Sequence, residues 1–282
     1  MKSEFDKYKR KTNEKFKELV GIPKVLFDIL VPIIGMHIKQ SHAKGGRKPN
    51  LCTTDLLLMT FKYYRDYPTY ESIATTFGID KSNAYRWINK VEDWLYCIFD
   101  NISGINISYD NFKKEGQKIT TTEKQVDVTE CPIQRPKNKE LQVIYYSGKK
   151  KKHTIKIQII IDTETLEIVS ISFDAGSVHD FNLFKKTTQE LDEFIAFLAD
   201  SGYQGITELF KNSLTPKKKS KNKPLTEQDK EFNKLISSIR ISIEHVNCQL
   251  KIFKILSTRY RSRIKTFYKR AILVCFLYNY CL

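Results

Sequence analysis

Several common sequence features are missing from this chain. No two of its cysteines form a C-x-x-C pair, and most lie in apolar segments, which disfavours a zinc site or a disulfide framework and predicts reduced, buried thiols in a cytosolic protein. The charged N-terminus has no hydrophobic signal segment. The longest apolar run, residues 271–280, is shorter than the roughly 20 residues of a membrane span and predicts a buried C-terminal helix. The cysteines are Cys52, Cys97, Cys131, Cys248, Cys275 and Cys281.

Positive charge is in excess. The chain has 48 Lys and Arg against 32 Asp and Glu, a formal net charge of +16 and a pI near 9.4. This balance favours a polyanionic partner, most often nucleic acid, over a generic basic surface. A length of 282 residues predicts two domains, or one with an appendage, and a composition that is 41% hydrophobic is enough for a sizeable core.

Residues 69–95 have the pattern of two helices joined by a tight turn. In the second helix the residues expected to face the core are Tyr85, Ile88, Val91 and Leu95. A helix, a Gly-containing turn and a second helix can place the second helix in the DNA major groove, although an ordinary helical hairpin has the same pattern. Side chains expected to face outward and to contact phosphates or base edges are Lys81, Asn83, Arg86, Asn89 and Lys90.

The pattern changes to strands from about residue 122. Four predicted strands follow one another with short turns, which indicates an antiparallel meander. They cover residues 124–130, 141–147, 153–162 and 166–176. A buried strand within residues 194–203 and a long helix over residues 226–253 follow. The apolar stripe predicted for that helix is Ile236, Ile239, Ile243, Val246, Leu250 and Phe253.

Three carboxylates have matching positions in these elements. Asp127 alternates with Val126 and Val128 and so points to the opposite face of its strand. Asp200 ends a buried strand, and Glu244 borders the apolar stripe of the late helix. Carboxylates held together repel unless a cation lies between them, and two divalent metals about 4 Å apart can promote phosphodiester cleavage.

The carboxylate pattern alone is weak, because most acidic residues form salt bridges or caps. Asp162, Asp174 and Asp180 are alternatives. Asp162 and Asp174 belong to turn-like stretches, whereas Asp180 is kept as an auxiliary site residue. Mg²⁺ prefers oxygen ligands, so His153 is not expected to be a ligand.

Ordered sequence blocks carry a family resemblance. The segments "VDVTECPIQRP", "GSVHDFNLF", "ADSGYQGI" and "FNKLISSIRISIEHVNCQLKIFK" resemble those of bacterial insertion-sequence transposases of the DDE superfamily-endonuclease type, which are related to Harbinger elements. The resemblance runs from about residue 120 to the C-terminus, and residues 50–95 resemble the helix-turn-helix upstream in those proteins. It implies an α/β fold, a ribonuclease-H-like mixed sheet flanked by helices, preceded by an all-α helix-turn-helix domain.

The resemblance also implies residue roles. Asp127, Asp200 and Glu244 would be catalytic and bind two Mg²⁺ ions, with Mn²⁺ as a substitute. Related transposases have a Y-x2-R-x3-E-x6-K pattern on the last helix, which Arg240, Glu244 and Lys251 match. Ser237 stands at the Tyr position, so any role of that tyrosine is absent or supplied elsewhere. Arg240 and Lys251 would bind phosphates of the transposon end, the alternative being solvated helix charges.

The resulting hypothesis is a transposase in three parts. They are an N-terminal helical segment (1–45), a helix-turn-helix DNA-binding domain (46–115) and a catalytic domain (120–282). Its expected partners are double-stranded DNA, as terminal inverted repeats and target, and further copies of itself on that DNA. The lysine-rich segments 149–152 and 217–223 suit backbone contacts. The expected location is cytoplasmic, nucleoid-associated when bound to DNA, with no membrane partner.

Two other functions remain open at this point. One is a catalytically inactive or domesticated transposase that acts only as a DNA-binding protein. The other is a nuclease with a ribonuclease-H-like core that cuts RNA–DNA hybrids, which the helix-turn-helix disfavours.

Overall fold

A computed structural model describes most of the chain. The described residues are 3–43, 45–46, 48–110, 112–117, 119, 123–219 and 224–282, so the end of the lysine-rich segment 217–223 lies outside them. The chain divides into a helical unit and a sheet unit. The helical unit contains Met1–Ser103, Leu250–Thr258 and Lys265–Leu282, and the sheet unit contains Gly104–Gln249 and Arg259–Ile264.

The elements are numbered in chain order. The α-helices are α1 (Asn13–Val20), α2 (Lys24–Ser41), α3 (Thr53–Asp66), α4 (Tyr70–Phe77), α5 (Lys81–Asp100), α6 (Lys139–Tyr145), α7 (Asp180–Thr187), α8 (Ile206–Leu209), α9 (Glu227–Lys251), α10 (Lys254–Ser257) and α11 (Ile264–Asn279). Short 3-10 helices cover Glu4–Lys7 and Ser201–Tyr203. The strands are β1 (Asn106–Tyr109), β2 (Phe112–Lys114), β3 (Glu123–Pro132), β4 (Tyr146–Ser147), β5 (Lys152–Asp162), β6 (Ile168–Ala175) and β7 (Ala196–Leu198).

The predicted helix-turn-helix is present as α4 and α5. The Thr69 hydroxyl accepts a hydrogen bond from the Ser72 N–H and caps α4. Gly78 ends α4 with φ at 61°, a left-handed conformation that glycine adopts without steric strain. The core-facing prediction is wrong for Tyr85, which is 55% exposed. Ala84 takes that core position instead, because it lies one full turn before the buried Ile88.

The C-terminal apolar run forms a buried helix, as predicted. Residues 270–277 of α11 are all buried, and this helix belongs to the helical unit together with α1 to α5. The predicted catalytic domain included these residues, and its boundaries remain a prediction. Among the described residues no single helix is long and apolar enough to cross a membrane. The consecutive helices α1 and α2 reach that length and apolar composition only when taken together, and the chain bends by 68° between them.

The sheet unit is built on a mixed seven-stranded sheet. Its strand order is β2-β1-β6-β5-β3-β7, and β4 pairs with β5. Strands β3, β5 and β6 are antiparallel neighbours, which confirms the predicted antiparallel arrangement for three of its four strands, whereas β7 joins β3 and β1 joins β6 in parallel. The mixed α/β fold class with an N-terminal helical region is therefore confirmed.

Two local predictions are wrong. Residues 141–147 were expected to form a strand, but most of this segment belongs to α6 and only two residues pair as β4. The Asn138 side chain accepts hydrogen bonds from the N–H groups of Glu140 and Leu141, which starts a helix in a segment of strand-forming residues. The thiols are also less buried than expected, because Cys52, Cys97 and Cys248 are exposed.

Both faces of the central strands are covered. On one face Val126 packs in an aromatic cluster, and Val128 is partly buried against it. The other members of the aromatic cluster are Ile160, Phe184, Ile195, Phe197, Ala199, Tyr203, Ile206 and Phe210. Asp127 points to the opposite face, as predicted, and there it meets α9.

Candidate active site

Asp127 is held between β3 and α9. The Asn247 side-chain amide donates a hydrogen bond of 2.8 Å to Asp127 Oδ2. An Arg240 guanidinium nitrogen lies 3.6 Å from Asp127 Oδ1. One turn away, the Gln125 amide donates to the Ser242 hydroxyl at 2.8 Å, which further fixes α9 on this face of the sheet. The carboxylate thus lies at a strand–helix junction with two polar partners on one helix.

Asp200 lies two residues beyond the end of β7, the parallel neighbour of β3. Gln125 is paired with Leu198 at the last register position of the two strands, so Asp127 and Asp200 each lie two residues beyond that pair. Asp200 Oδ1 accepts a hydrogen bond of 2.6 Å from the Gly202 N–H. A Cβ at Gly202 would lie 2.8 Å from that oxygen, so a larger residue here would displace the Asp200 carboxylate.

Glu244 lies on α9 in the same stripe as the partners of Asp127. Arg240, Glu244 and Asn247 are spaced by four and three residues, which places them on one side of the helix. Glu244 itself is exposed. Lys251, also exposed, is the last residue of α9. The carboxylate is therefore available to a ligand from solvent.

Electrostatics show that the predicted carboxylates act on one another. The pKa of Asp127 is raised to about 6; burial is the largest cause, and the charges of Asp200 and Glu244 contribute to the rise. Arg240 and the backbone N–H of Val128 oppose this rise in the pKa. Bringing like charges together at a half-buried site has a free-energy cost that a bound cation would remove.

The apolar stripe of α9 departs from the prediction at two positions. Ile239 is 37% exposed, whereas the polar Asn247 is buried. The helix is rotated so that its polar stripe, rather than a purely apolar one, faces Asp127. Ser237, at the Tyr position of the family pattern, is exposed. Asn247 is thus a site residue that hydrophobic periodicity could not identify.

All three predicted ligands are carboxylates, and carboxylate oxygens are suitable ligands for a hard divalent cation such as Mg²⁺. Within the part of the chain that the structure describes, no three His, Cys, Asp or Glu side chains are already arranged to hold a metal ion. Asp127 is engaged by Asn247 and Arg240, and Asp200 by Gly202. Metal binding would therefore exchange these protein contacts for metal–oxygen contacts.

The auxiliary candidate Asp180 has a different role in the fold. Its Oδ1 accepts a hydrogen bond of 2.5 Å from the Lys156 ammonium, and Lys156 is buried in β5. Asp162 is also engaged, since it accepts from Lys124 and from the backbone of its own turn. Both carboxylates neutralise buried lysines.

The outward face of α5 forms two grooves in the helical unit. The larger, of about 810 Å³, is lined by Tyr70, Lys81, Ser82, Tyr85, Arg86, Asn89, Lys90 and Asp93. The smaller, of about 210 Å³, includes Lys48, Asn83, Arg86, Trp87 and Lys90 in its lining. All five side chains predicted to contact DNA border one groove or both.

Four of these DNA-binding candidates have protein partners. Arg86 donates to the Asn83 side-chain oxygen at 3.4 Å, and the Asn83 amide donates to Asp80 at 3.5 Å. The Lys90 ammonium lies 5.2 Å from the ring centroid of Trp87 and 5.4 Å from that of Trp94, which restrains it by cation–π attraction. The Asn89 amide donates to the Tyr85 carbonyl at 2.7 Å. Arg86 and Lys81 are exposed. Sequence analysis missed Ser82 and Tyr85, which line the larger groove.

Comparison with known proteins now identifies the family. A profile described as "DDE superfamily endonuclease" matches residues 126–279, and one described as "Helix-turn-helix of DDE superfamily endonuclease" matches residues 49–100. The chain is 39% identical over 277 residues to the "Probable transposase for insertion sequence element IS702" of Microchaete diplosiphon, covering 98% of this chain and 97% of that protein. No solved structure matches it. The chain belongs to the DDE superfamily of transposases and has the helix-turn-helix of that family.

Proposed function

We propose that this transposase cuts and joins DNA at a centre formed by Asp127, Asp200 and Glu244. The observation that carries the proposal is that Asp127 contacts Arg240 and Asn247 on α9, the helix that also bears Glu244, while Asp200 follows β7, the parallel neighbour of β3. The family match to an endonuclease supports the reaction class. This placement supports these three residues as its ligands and catalytic groups.

The three carboxylates would hold two Mg²⁺ ions, or Mn²⁺ in their place. When bound, such ions activate a nucleophilic oxygen and neutralise charge on the phosphate and the leaving oxygen. Arg240, beside Asp127, would bind a phosphate of the transposon end, and Lys251 would contact the DNA backbone. Ion pairing of a guanidinium with phosphate is strong and geometrically specific.

Two displacements at phosphorus make up the reaction. In the first, water attacks the phosphorus at the element's end, the bond to the 3′-oxygen breaks, and that oxygen takes up a proton. In the second, the freed 3′-hydroxyl attacks a target phosphodiester and displaces its 3′-oxygen. Both are in-line displacements, so one site serves both steps.

The helix-turn-helix supplies recognition of the terminal inverted repeats. Arg86 and Lys81 are exposed on α5, beside a groove of about 810 Å³, where they reach base edges or phosphates. Transposition joins two ends, so the active species is a homo-oligomer assembled on the inverted repeats and target DNA. The net charge of +16 favours this polyanionic partner.

A nicking assay on the DNA ends that flank the gene tests this proposal. We expect the wild-type protein to nick the end with Mg²⁺ or Mn²⁺, and Asp127→Ala to lose about 1,000-fold or more in rate. Equal nicking by both proteins would exclude the proposed centre. Asp174→Ala is the matched control, because Asp174 is a sheet carboxylate outside the site.

The alternative is a DNA-binding protein without catalysis. In that case wild-type protein and Asp127→Ala would bind the ends equally, and neither would nick them under any divalent metal. An RNA–DNA hybrid in the same assay tests the hybrid nuclease, which requires faster cleavage of the hybrid than of the DNA end.

A further inference from the structure

Three side chains at the candidate site or next to it carry a buried polar atom without a partner. Within the described residues, the Tyr203 hydroxyl, Arg240 Nε and Asn247 Oδ1 are buried and have no hydrogen-bond partner. Buried polar groups in native proteins are nearly always hydrogen-bonded, so each exception calls for an explanation. Arg240 and Asn247 contact Asp127 directly through their other polar atoms, which makes a shared explanation at this site the simplest one.

The ring of Tyr203 is fixed by its packing. Tyr203 is 1% exposed and ends the 3-10 turn that begins after Asp200. Its ring meets Phe184 edge-on at a centroid distance of 5.6 Å and Phe181 at 6.3 Å. Since a phenol has only two side-chain torsions and both are restrained by this packing, the position of the hydroxyl is set by the fold.

The charged side chains of the candidate site act electrostatically on the Tyr203 hydroxyl. Burial raises the pKa of Tyr203 well above its usual range, and the charges of Asp127, Asp180 and Asp200 add to that rise while Arg240 opposes it. An ordinary phenol is protonated at neutral pH, so the hydroxyl offers a hydrogen-bond donor. The Tyr203 N–H also donates a hydrogen bond of 3.1 Å to the Asp200 carbonyl oxygen, which holds Tyr203 directly beside the candidate site.

What the unpaired hydroxyl lacks is an acceptor. The unpaired Arg240 Nε–H is also a donor and cannot accept a hydrogen bond from the hydroxyl. Both groups can instead donate to one shared acceptor. An oxygen atom of a phosphodiester entering between Asp127 and Asp200 satisfies both. A neutral donor in a buried site has a large effect on a reaction that develops negative charge on such an oxygen.

We propose that Tyr203 is a catalytic residue whose hydroxyl donates a hydrogen bond to a non-bridging oxygen of the scissile phosphate. This inference rests on the proposed function, because it places the scissile phosphate between Asp127 and Asp200. It assigns a substrate contact to the tyrosine of the "ADSGYQGI" segment.

The variant Tyr203→Phe removes the hydroxyl and keeps the packed ring. We expect end cleavage to fall about 100-fold, the size of effect seen on removal of one such donor. The midpoint of thermal unfolding should stay the same or rise, because an unpaired buried hydroxyl is lost. A hydroxyl with a structural hydrogen bond would give the opposite result, a lower midpoint.

Sulfur substitution at the scissile phosphate distinguishes a substrate contact from a general loss of activity. Each phosphorothioate diastereomer is tested with Mg²⁺ and with Mn²⁺. Wild-type protein should cleave one diastereomer slowly with both metals, because sulfur is a poor hydrogen-bond acceptor. In Tyr203→Phe that difference between oxygen and sulfur should disappear. If it persists at full size, the hydroxyl does not contact that oxygen.

Two controls separate this inference from the proposed function. Tyr146→Phe removes an exposed hydroxyl in the same unit and should behave as wild type. If wild-type protein cleaves, Asp127→Ala does not, and Tyr203→Phe cleaves as wild type, then only the inference about Tyr203 is wrong. If wild-type protein cleaves no end with either metal, both the proposed function and the inference fail.

Discussion

Each of the two units packs an arginine against a carboxylate, and the two pairs differ in how many of their hydrogen-bonding groups have partners. In the helical unit, Arg270 donates to both oxygens of Glu92 at 2.9 and 3.2 Å and also to the Tyr70 hydroxyl at 3.1 Å. We call Glu92 and Arg270 the closed pair. In the sheet unit, Arg240 reaches one oxygen of Asp127 at 3.6 Å and leaves its Nε unpaired, and we call these two residues the open pair.

The difference separates a structural role from a functional one. A closed pair satisfies its own hydrogen-bonding groups, fixes the packing of α5 against α11 within one unit, and has nothing left to offer a ligand. The open pair leaves polar atoms unsatisfied at a free-energy cost, which a protein tolerates where a ligand completes the network. Burial of an ion pair alone would not distinguish the two.

Breaking the closed pair should have the largest effect on stability. Arg270→Met leaves Glu92 buried without its main partner, so we expect the free energy of unfolding to fall by about 3–5 kcal/mol. Urea unfolding measures it. The double variant Glu92→Leu with Arg270→Met should recover most of the loss, because neither charge is then buried alone. A loss below about 1 kcal/mol in the single variant would contradict the closed pair's structural role.

Removing the carboxylate charge of the open pair should stabilise the protein, whereas breaking the closed pair destabilises it. The pKa of Asp127 is about 6 in the folded protein against the usual 3.8 of an aspartate, so deprotonation destabilises the fold. Asp127→Asn should therefore raise the free energy of unfolding by about 2 kcal/mol at about pH 7.5 without metal, after allowance for partial exposure. The gain should vanish as the pH falls through 6 toward 4, where wild-type Asp127 is protonated when folded.

Urea unfolding of both proteins at several pH values checks this prediction. The wild-type protein should lose stability relative to Asp127→Asn as the pH rises through the interval between 3.8 and about 6. A stability difference of the same size at every pH would mean that shape rather than charge at position 127 decides it.

Added Mg²⁺ gives the smallest expected effect. Without DNA, wild-type protein should gain about 1 kcal/mol when Mg²⁺ is in roughly fivefold excess over its dissociation constant. Asp127→Asn should gain less. Arg270→Met should gain as much as the wild type, since the closed pair is no part of the site, and thermal unfolding with and without Mg²⁺ measures all three. Equal gains in wild type and Asp127→Asn would remove Asp127 from the metal site.

Local patterns predicted most of the fold. Strict alternation in β5 and the position of Asp127 between two valines reflect the two faces of a strand, and this period depends only on neighbouring residues. Residues 141–147 were mistaken for a strand because their side chains favour strands, while the helix depends on one cap, Asn138. The single capping side chain of Asn138 outweighed the strand propensity of residues 141–147.

The site was predictable only where its residues belong to motifs. Asp127, Asp200 and Glu244 were candidates because of their place in strands and a helix, but their proximity depends on the β3–β7 register, which periodicity does not encode. Asn247 and Tyr203 could not be found in this way. Burial of Asn247 follows from the rotation of α9, and the isolation of the Tyr203 hydroxyl is a property of the assembled core.

The position of α11 has a consequence for synthesis of the chain. A ribosome completes α5 and its carboxylate Glu92 long before it reaches Arg270, the residue that neutralises that carboxylate. Any product truncated before α11 would contain the whole helix-turn-helix sequence with an uncompensated charge in its interior. Only chains that include α11 should therefore bind the transposon ends, and prematurely terminated fragments should not compete with them for that DNA.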